Sequence, residues 1–287
     1  MIYIHWIVLV AYTVIAILAM ITVLMEHRQP AKTIAWVLVL SFLPLVGIIL
    51  YFFFGRRTRK NRNIWQKSLD QLTKRSMIEF AEQKQLELST DYQRLIQLFM
   101  NQNLALPFKN NTAEVYVSGY DFFPALFATI SKAKHHIHIV SYIIDDDPLG
   151  RLLRDTLIDK ARKGIEIRFL FDDVGSWKTK NKFFEQMREE GIEVHPFMPV
   201  RFPAFTGKVN YRNHRKIIVI DGKVGFIGGM NFAQRYIKGN KNVKWRDTHI
   251  KINGPAVYGL QRAFLIDWFY ADRTLITDRK YYPEIKI

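Results

Sequence analysis

Cysteine is absent from all 287 residues. That excludes disulfides and metal sites built on thiolates, and it is in keeping with a reducing compartment. Acidic residues are scarce, with 26 Asp and Glu against 42 Lys and Arg, for a formal charge of +16. No phosphate-cradling P-loop pattern occurs, and the Gly-Gly of "IGGMN" is not a dinucleotide fingerprint. Low-complexity tracts and short repeats are missing as well. The opening MIYIHWIV carries no Lys or Arg, which does not suit a secretory signal peptide.

Charge is also missing from two long runs. Between Ile2 and Met25 only His5 and Thr13 are conspicuously polar, and residues 34–54 contain no charged side chain. At about 1.5 Å rise per residue each run can cross a hydrocarbon core of roughly 30 Å, so the pattern predicts two membrane helices. Pro44 and Gly47 leave open a kinked or re-entrant arm for the second. The connector holds Arg28 and Lys32, whereas Arg56, Arg57, Arg59, Lys60, Arg62 and Lys67 follow the second run. The heavier basic flank belongs in the cytoplasm, which puts both termini there. The expected location is the cell membrane, multi-pass, with the bulk of the chain cytoplasmic.

Residues 1–54 contribute two cations and one carboxylate, so +15 of the charge lies on residues 55–287. A basic domain tethered beside a membrane favours anionic lipid over nucleic acid as partner. Residues 56–110 read as a basic juxtamembrane linker with helical spacing of Trp65, Leu69, Leu72, Ile78, Leu86, Leu95 and Leu98. "ALPFKNNT" marks a boundary, because Pro107, Asn110 and Asn111 favour turns. Strand and helix patterns then alternate to the end: strands at 113–119, 135–144, 166–173 and 192–197, and helices at 122–134, 149–163 and 180–190. A hairpin, the strand DTHIKI and a helix near 255–271 complete the series. This alternation predicts an α/β domain with a mixed or parallel sheet over residues 111–287.

The hairpin YRNHRKIIVIDGKVGFIGGMN carries the chemistry. Asp221-Gly222 signals a two-residue turn, which would pair Ile220 with Lys223, Lys216 with Ile227 and His214 with Gly229. His214, Lys216, Gly229 and Asn231 would then share one face, with Ile217 and Val219 on the other, in the core. The hydrogen side chain of Gly229 would leave room for a phosphate. Lys216 and Asn231 could donate to its oxygens, and His214 could attack phosphorus. Asp221, at the turn, is expected to support the structure or balance charge. Other polar clusters have plainer readings. His136 and His138 share a strand face, but nothing specifies further metal ligands, so no metal is assigned. Asp145, Asp146, Asp147, Asp172 and Asp173 sit at strand ends, where capping is the favoured role. The segment before the motif reads as a loop, with Phe202, Phe205, Arg201 and Lys208 as a candidate membrane-facing lip.

The ungapped pattern H-x-K-x(4)-D-x(6)-G-G-x-N, standing here as His214, Lys216, Asp221, Gly228, Gly229 and Asn231, resembles the signature of the phospholipase D superfamily. "AWVLVLSFLPLVGIILYFFFGR" is similar to the membrane segment of bacterial cardiolipin synthases, and "FLFDDVGSW", "NYRNHRKIIVIDG" and "WRDTHIKINGPAV" to their catalytic half. The resemblance implies a phospholipase D-like mixed β-sheet flanked by helices, preceded by two transmembrane helices at residues 1–55. It implies a phosphatidyltransferase that joins two phosphatidylglycerols into cardiolipin and releases glycerol. Cofactors are none, and His214, Lys216 and Asp221 are the motif residues. The family carries two such motifs in a longer chain, and this sequence carries one. The resemblance therefore implies a second motif-bearing half or a homodimer. A homodimeric phosphodiesterase or nuclease, and a non-catalytic half-site partner, are the alternatives.

Overall fold

The computed structural model describes residues 2–25, 30–51, 92–103, 107–200, 212–239 and 245–285. The chain divides into two compact units.

The first unit is helical. Helix α1 spans Ile2–Met25, α2 Pro30–Phe42 and α3 Pro44–Leu50. The expected second span is thus two pieces. Pro44 has no N–H to continue the ladder, and its ring pushes the preceding residue out of helical geometry. Leu43 accordingly sits at φ −129° and ψ 62°. Val23, Leu40 and Tyr51 are buried among the three helices, and the Trp36 and Tyr51 rings meet edge-on at 5.5 Å. Most other apolar side chains point outward, Ile7, Leu18, Leu24, Ile34 and Phe42 among them. Among the described residues no helix is long and apolar enough to cross a membrane. The α1 backbone is one helix of 24 residues without a charged side chain.

The second unit begins with α4 (Gln93–Asn103), inside the expected linker; residues 56–91 of that linker lie outside the described residues, as do Arg201, Phe202, Phe205 and Lys208. A seven-stranded sheet follows, built from β1 (Thr112–Tyr116), β2 (His136–Ser141), β3 (Glu166–Asp172), β4 (Glu193–Phe197), β5 (Ile217–Ile220), β6 (Val224–Gly228) and β7 (His249–Asn253). Their spatial order is β1-β7-β6-β5-β2-β3-β4. Strands β2, β3 and β4 run parallel, as their crossover helices α6 (Pro148–Arg162) and α7 (Asn181–Glu189) require. All other pairings are antiparallel.

Period-two alternation divides the core between the two faces of the sheet. Ile137, Ile139, Phe169, Ile218 and Ile220 pack against α5 (Gly119–Ile130), α6 and α7, which contribute Phe122, Leu126, Leu153, Leu157, Phe184 and Met187. Val140, Leu170, Ile217 and Val219 pack on the opposite side against Phe264, Leu265 and Trp268 of α9 (Val257–Asp272), which follows the short α8 (Arg235–Lys238). With both faces covered, every residue of β2 is buried.

The hairpin departs from its expected register by one residue. Ile220 pairs with Val224 and Ile217 with Ile227, so three residues, Asp221, Gly222 and Lys223, close the loop. Asp221 and Gly222 both adopt left-handed backbone, at φ 54° and 64°. Asp tolerates that region because its short polar side chain can bond locally. Here its carboxylate accepts the N–H groups of Lys134, His135 and His136 at 2.9, 2.7 and 3.0 Å. Asp221 thus pins the turn to the start of β2, at the opposite end of β5 from His214. Extending the register sets Lys216 against Gly228, whose N–H donates to the Lys216 carbonyl at 3.3 Å. The one-residue slip thus puts Gly228, where Ile227 was expected, opposite Lys216, and Gly229 and Asn231 lie beyond the end of β6.

Asp221→Ala removes three charge-assisted backbone bonds and is expected to cost about 2 kcal/mol of stability. Denaturant unfolding of the purified chain checks this; an unchanged midpoint would contradict the anchoring role.

Candidate active site

The segment leading into β5 is held before it reaches the strand. Asn213 is buried, and its backbone N–H donates to Asp172 Oδ2 at 3.0 Å while its side-chain amide donates to Asp267 Oδ2 at 2.8 Å. Its Oδ1 in turn accepts the N–H of Arg215 at 3.0 Å. Arg215 also pairs with Asp267. Asp172 closes β3 and caps the turn after it through the N–H groups of Val174 and Gly175. Capping was its expected role; the hold on Asn213 is additional. Two buried carboxylates from different elements therefore fix the residue before His214.

His214 is exposed, and its ring leans on Tyr142 with centroids 4.6 Å apart. Lys216 is only 3% exposed. Its Nζ lies 3.0 Å from His214 Nδ1, donates to the His214 carbonyl at 2.7 Å, and stands 5.3 Å over the Tyr142 ring. Burial, opposed by the charge of Asp247, pulls the Lys216 ammonium down to about 8. Burial and the Lys216 charge lower His214 below the ordinary histidine value, and Asp172 and Asp247 resist that shift.

Two glycines shape the floor. A Cβ on Gly228 would lie 2.6 Å from the His249 ring, and Gly228 pairs with His249 across the strands. His249 is fully buried, stacked on Phe122 at 4.0 Å, and its two ring nitrogens have no hydrogen-bond partner among the described residues. Burial, with the Lys216 charge second, pulls its pKa down to about 3. A Cβ on Gly229 would fall 1.9 Å from Asp247 Oδ1. The room expected for phosphate opposite His214 is thus filled by the Asp247 carboxylate. Asn231 is also occupied: its Oδ1 accepts the Ile143 N–H at 3.0 Å and its Nδ2 donates to the Tyr236 hydroxyl. One amide hydrogen at most is left for a ligand.

His136 and His138 both reach Gln261 Oε1 at 3.2 Å, and His138 stacks on Phe264 at 4.5 Å. Among the described residues no group of three or more His, Asp or Glu gathers as metal ligands. Asp147 caps α6 through the N–H groups of Leu149 and Gly150, while Asp145 and Asp146 pair with Arg235 and Arg151.

Sequence reasoning passed over Tyr142, Asp247, His249 and Asp267. Asp267 did leave a signal, as a lone carboxylate within the apolar run "AFLIDWFYA", where burial demands a partner. Asp247 and His249 flank Thr248 at the start of a strand pattern, and nothing local says that they meet the hairpin.

A family model described as cardiolipin synthase, phospholipase D-like domain, matches residues 126–268, and one described as phospholipase D-nuclease N-terminal matches residues 14–56. The cardiolipin synthase of Geobacillus sp. (strain WCH70) is 40% identical over 91% of this chain and 53% of its own length. The chain belongs to the cardiolipin synthase family. The cardiolipin synthase of Geobacillus kaustophilus (strain HTA426) is 41% identical over 88% of this chain and 52% of its own length. This family member spans about half the length of the curated relatives it matches. Among solved structures, NucT from Helicobacter pylori is similar at 16% identity and a TM-score of 0.46, over 56% of this chain and 98% of that one.

The opposed charges around His214 predict opposite shifts of its pKa. Lys216→Gln removes a lowering charge and should raise it, whereas Asp247→Asn removes a raising charge and should lower it further. NMR titration of the imidazole reads both; shifts of the same sign would contradict the arrangement.

Proposed function

We propose that this chain is the membrane-anchored first half of a cardiolipin synthase, transferring a phosphatidyl group between two phosphatidylglycerols through a phosphohistidine on His214. The observation that carries the reading is the exposed imidazole held against a buried ammonium, with Nδ1 3.0 Å from Lys216 Nζ. An exposed nucleophile beside a desolvated cation suits a phosphodiester, whose anionic oxygens lose water on approach.

His214 Nε2 attacks phosphorus, and the bond to the departing glycerol oxygen breaks. That oxygen takes a proton from a general acid. For Nε2 to offer its lone pair, Nδ1 must hold the proton and face an acceptor. In the observed pose Nδ1 faces Lys216, so the ring has to turn, and Asp247 is the carboxylate at hand to receive Nδ1–H. A hydroxyl of the second phosphatidylglycerol then attacks phosphorus, gives its proton to the group that served as acid, and releases His214. One phosphodiester replaces another, so the exchange needs no external energy source. Lys216 supplies positive charge to the phosphoryl oxygens throughout. Asn231 and Gly229 shape the site, Asn231 with one amide hydrogen at most for the phosphate. Asp221 acts through the fold.

A single imidazole cannot attack phosphorus and protonate the leaving oxygen from the opposite side in one step. The general acid therefore comes from a second motif-bearing half or a second copy. Helices α1, α2 and α3 anchor the chain at the membrane, a reading supported by their described apolar side chains, most of which face outward. The catalytic unit lies on the cytoplasmic side with the basic flank.

Reconstituted with a second motif-bearing half in phosphatidylglycerol vesicles, the chain should form cardiolipin, and His214→Ala should abolish it. Cleavage of DNA without lipid turnover would overturn the assignment in favour of a nuclease. The pH dependence of kcat/KM should carry an acid limb below the usual histidine value, since His214 attacks when neutral, and an alkaline limb near 8 as Lys216 loses its charge. Lys216→Arg, if active, should carry the alkaline limb out of range; a limb that stays near 8 would assign it to another group.

A further inference from the structure

The turn after β3 presents the indole of Trp177 to solvent at 76% exposure, although the turn itself is fixed at every side. The Asp172 carboxylate holds the N–H groups of Val174 and Gly175 at 3.0 and 2.9 Å. Ser176, buried, accepts the Ile144 N–H at 3.1 Å, and Thr179, buried, donates to the Ile144 carbonyl at 2.6 Å. Trp177 stands between these two anchored hydroxyls, and no ring or cation contact covers it among the described residues. Lys178, Lys180 and Lys182, all exposed, follow it. Val200 adds a second partly exposed apolar side chain, its N–H held at 2.7 Å by Asp173 of the same turn.

This turn borders the candidate active site through two contacts. Asp172 binds both the turn and Asn213, the residue before His214. A Cβ on Gly175 would lie 2.9 Å from the Tyr142 ring, which packs on His214. Leaving a rigid indole in water forfeits a large apolar burial, and Trp flanked by cations has the chemistry of a membrane interface: ring at the headgroup level, ammonium groups at lipid phosphates.

We propose that Trp177, with Lys178, Lys180 and Lys182, docks the end of the sheet at which His214 lies onto an anionic lipid surface. The ring enters the headgroup region and the three ammonium groups meet phosphates, so a lipid headgroup is delivered beside His214 with little need for it to leave the bilayer. The inference rests on the reading of the site as acting on lipid, but its test does not require turnover.

The absence of cysteine makes single-site labelling direct. The full chain is prepared with Trp177→Cys or, as a control just past the end of α5 and before β2, Ser131→Cys, each carrying an environment-sensitive fluorophore. It is reconstituted into vesicles of phosphatidylcholine with or without phosphatidylglycerol, plus a lipid-borne spin-label quencher. The expected result is quenching at 177 at least about threefold stronger than at 131 in phosphatidylglycerol vesicles. That quenching should fall when Lys178, Lys180 and Lys182 are changed to Glu. Equal quenching at the two positions, or no response to phosphatidylglycerol, overturns the proposal. So does protection at 177 that appears only at high protein-to-lipid ratio, which would assign the surface to a second copy. In the active assembly, Trp177→Ala should raise the half-saturating surface fraction of phosphatidylglycerol about tenfold at unchanged kcat. Quenching without turnover would sink the proposed function and leave the docking surface standing, and turnover without quenching would do the reverse.

Discussion

One asparagine between two carboxylates sets the geometry on which the site depends. Asp172 takes the backbone N–H of Asn213 and Asp267 takes its side-chain amide, on the approach to β5. An extended segment ahead of a strand has no ladder of its own, and without these bonds its buried polar groups would lack partners. Asp267 is buried deeply enough that its pKa is raised, yet Arg215 and Asn213 keep it partnered. The hold reaches His214 and Lys216 directly: with Asn213 fixed, the next residue faces out and the third turns in, to 3% exposure.

From that point the site is a problem in desolvation. A lysine this enclosed loses much of its preference for the charged state, and the charge it keeps is backed by Asp247. His214, exposed but beside that charge, is biased toward the neutral form that can attack. The missing side chain of Gly228 leaves room for the His249 ring, stacked on Phe122 and kept neutral by burial. The same carboxylate that fills the space over Gly229 is the one that offsets Lys216, so packing and electrostatics at this position are a single feature.

Much of the fold was legible in the sequence because apolar periodicity is a local property. The strands at 136–141, 166–172 and 193–197, and the helices between them, fall where the pattern put them to within a few residues. The motif residues His214 and Lys216 were legible for the same reason, being two apart on one chain. What was not legible came from counting and from distance. Asp221 and Gly222 are both left-handed, but Lys223 also stays outside the pairing, and that one residue set Gly228 in place of Ile227 opposite Lys216. Asp247, His249 and Asp267 lie tens of residues from the motif and reach it only because β7 and α9 pack where they do.

The central claim is that His214 carries the phosphatidyl group. Acid-sensitive phosphohistidine survives alkaline quenching, so the assembled enzyme is stopped at high pH during turnover of phosphatidylglycerol, digested and analysed by mass spectrometry. The account predicts a phosphatidyl adduct on the peptide containing His214, lost in His214→Ala. An adduct confined to another residue, or sustained turnover with His214 unmodified, would contradict it.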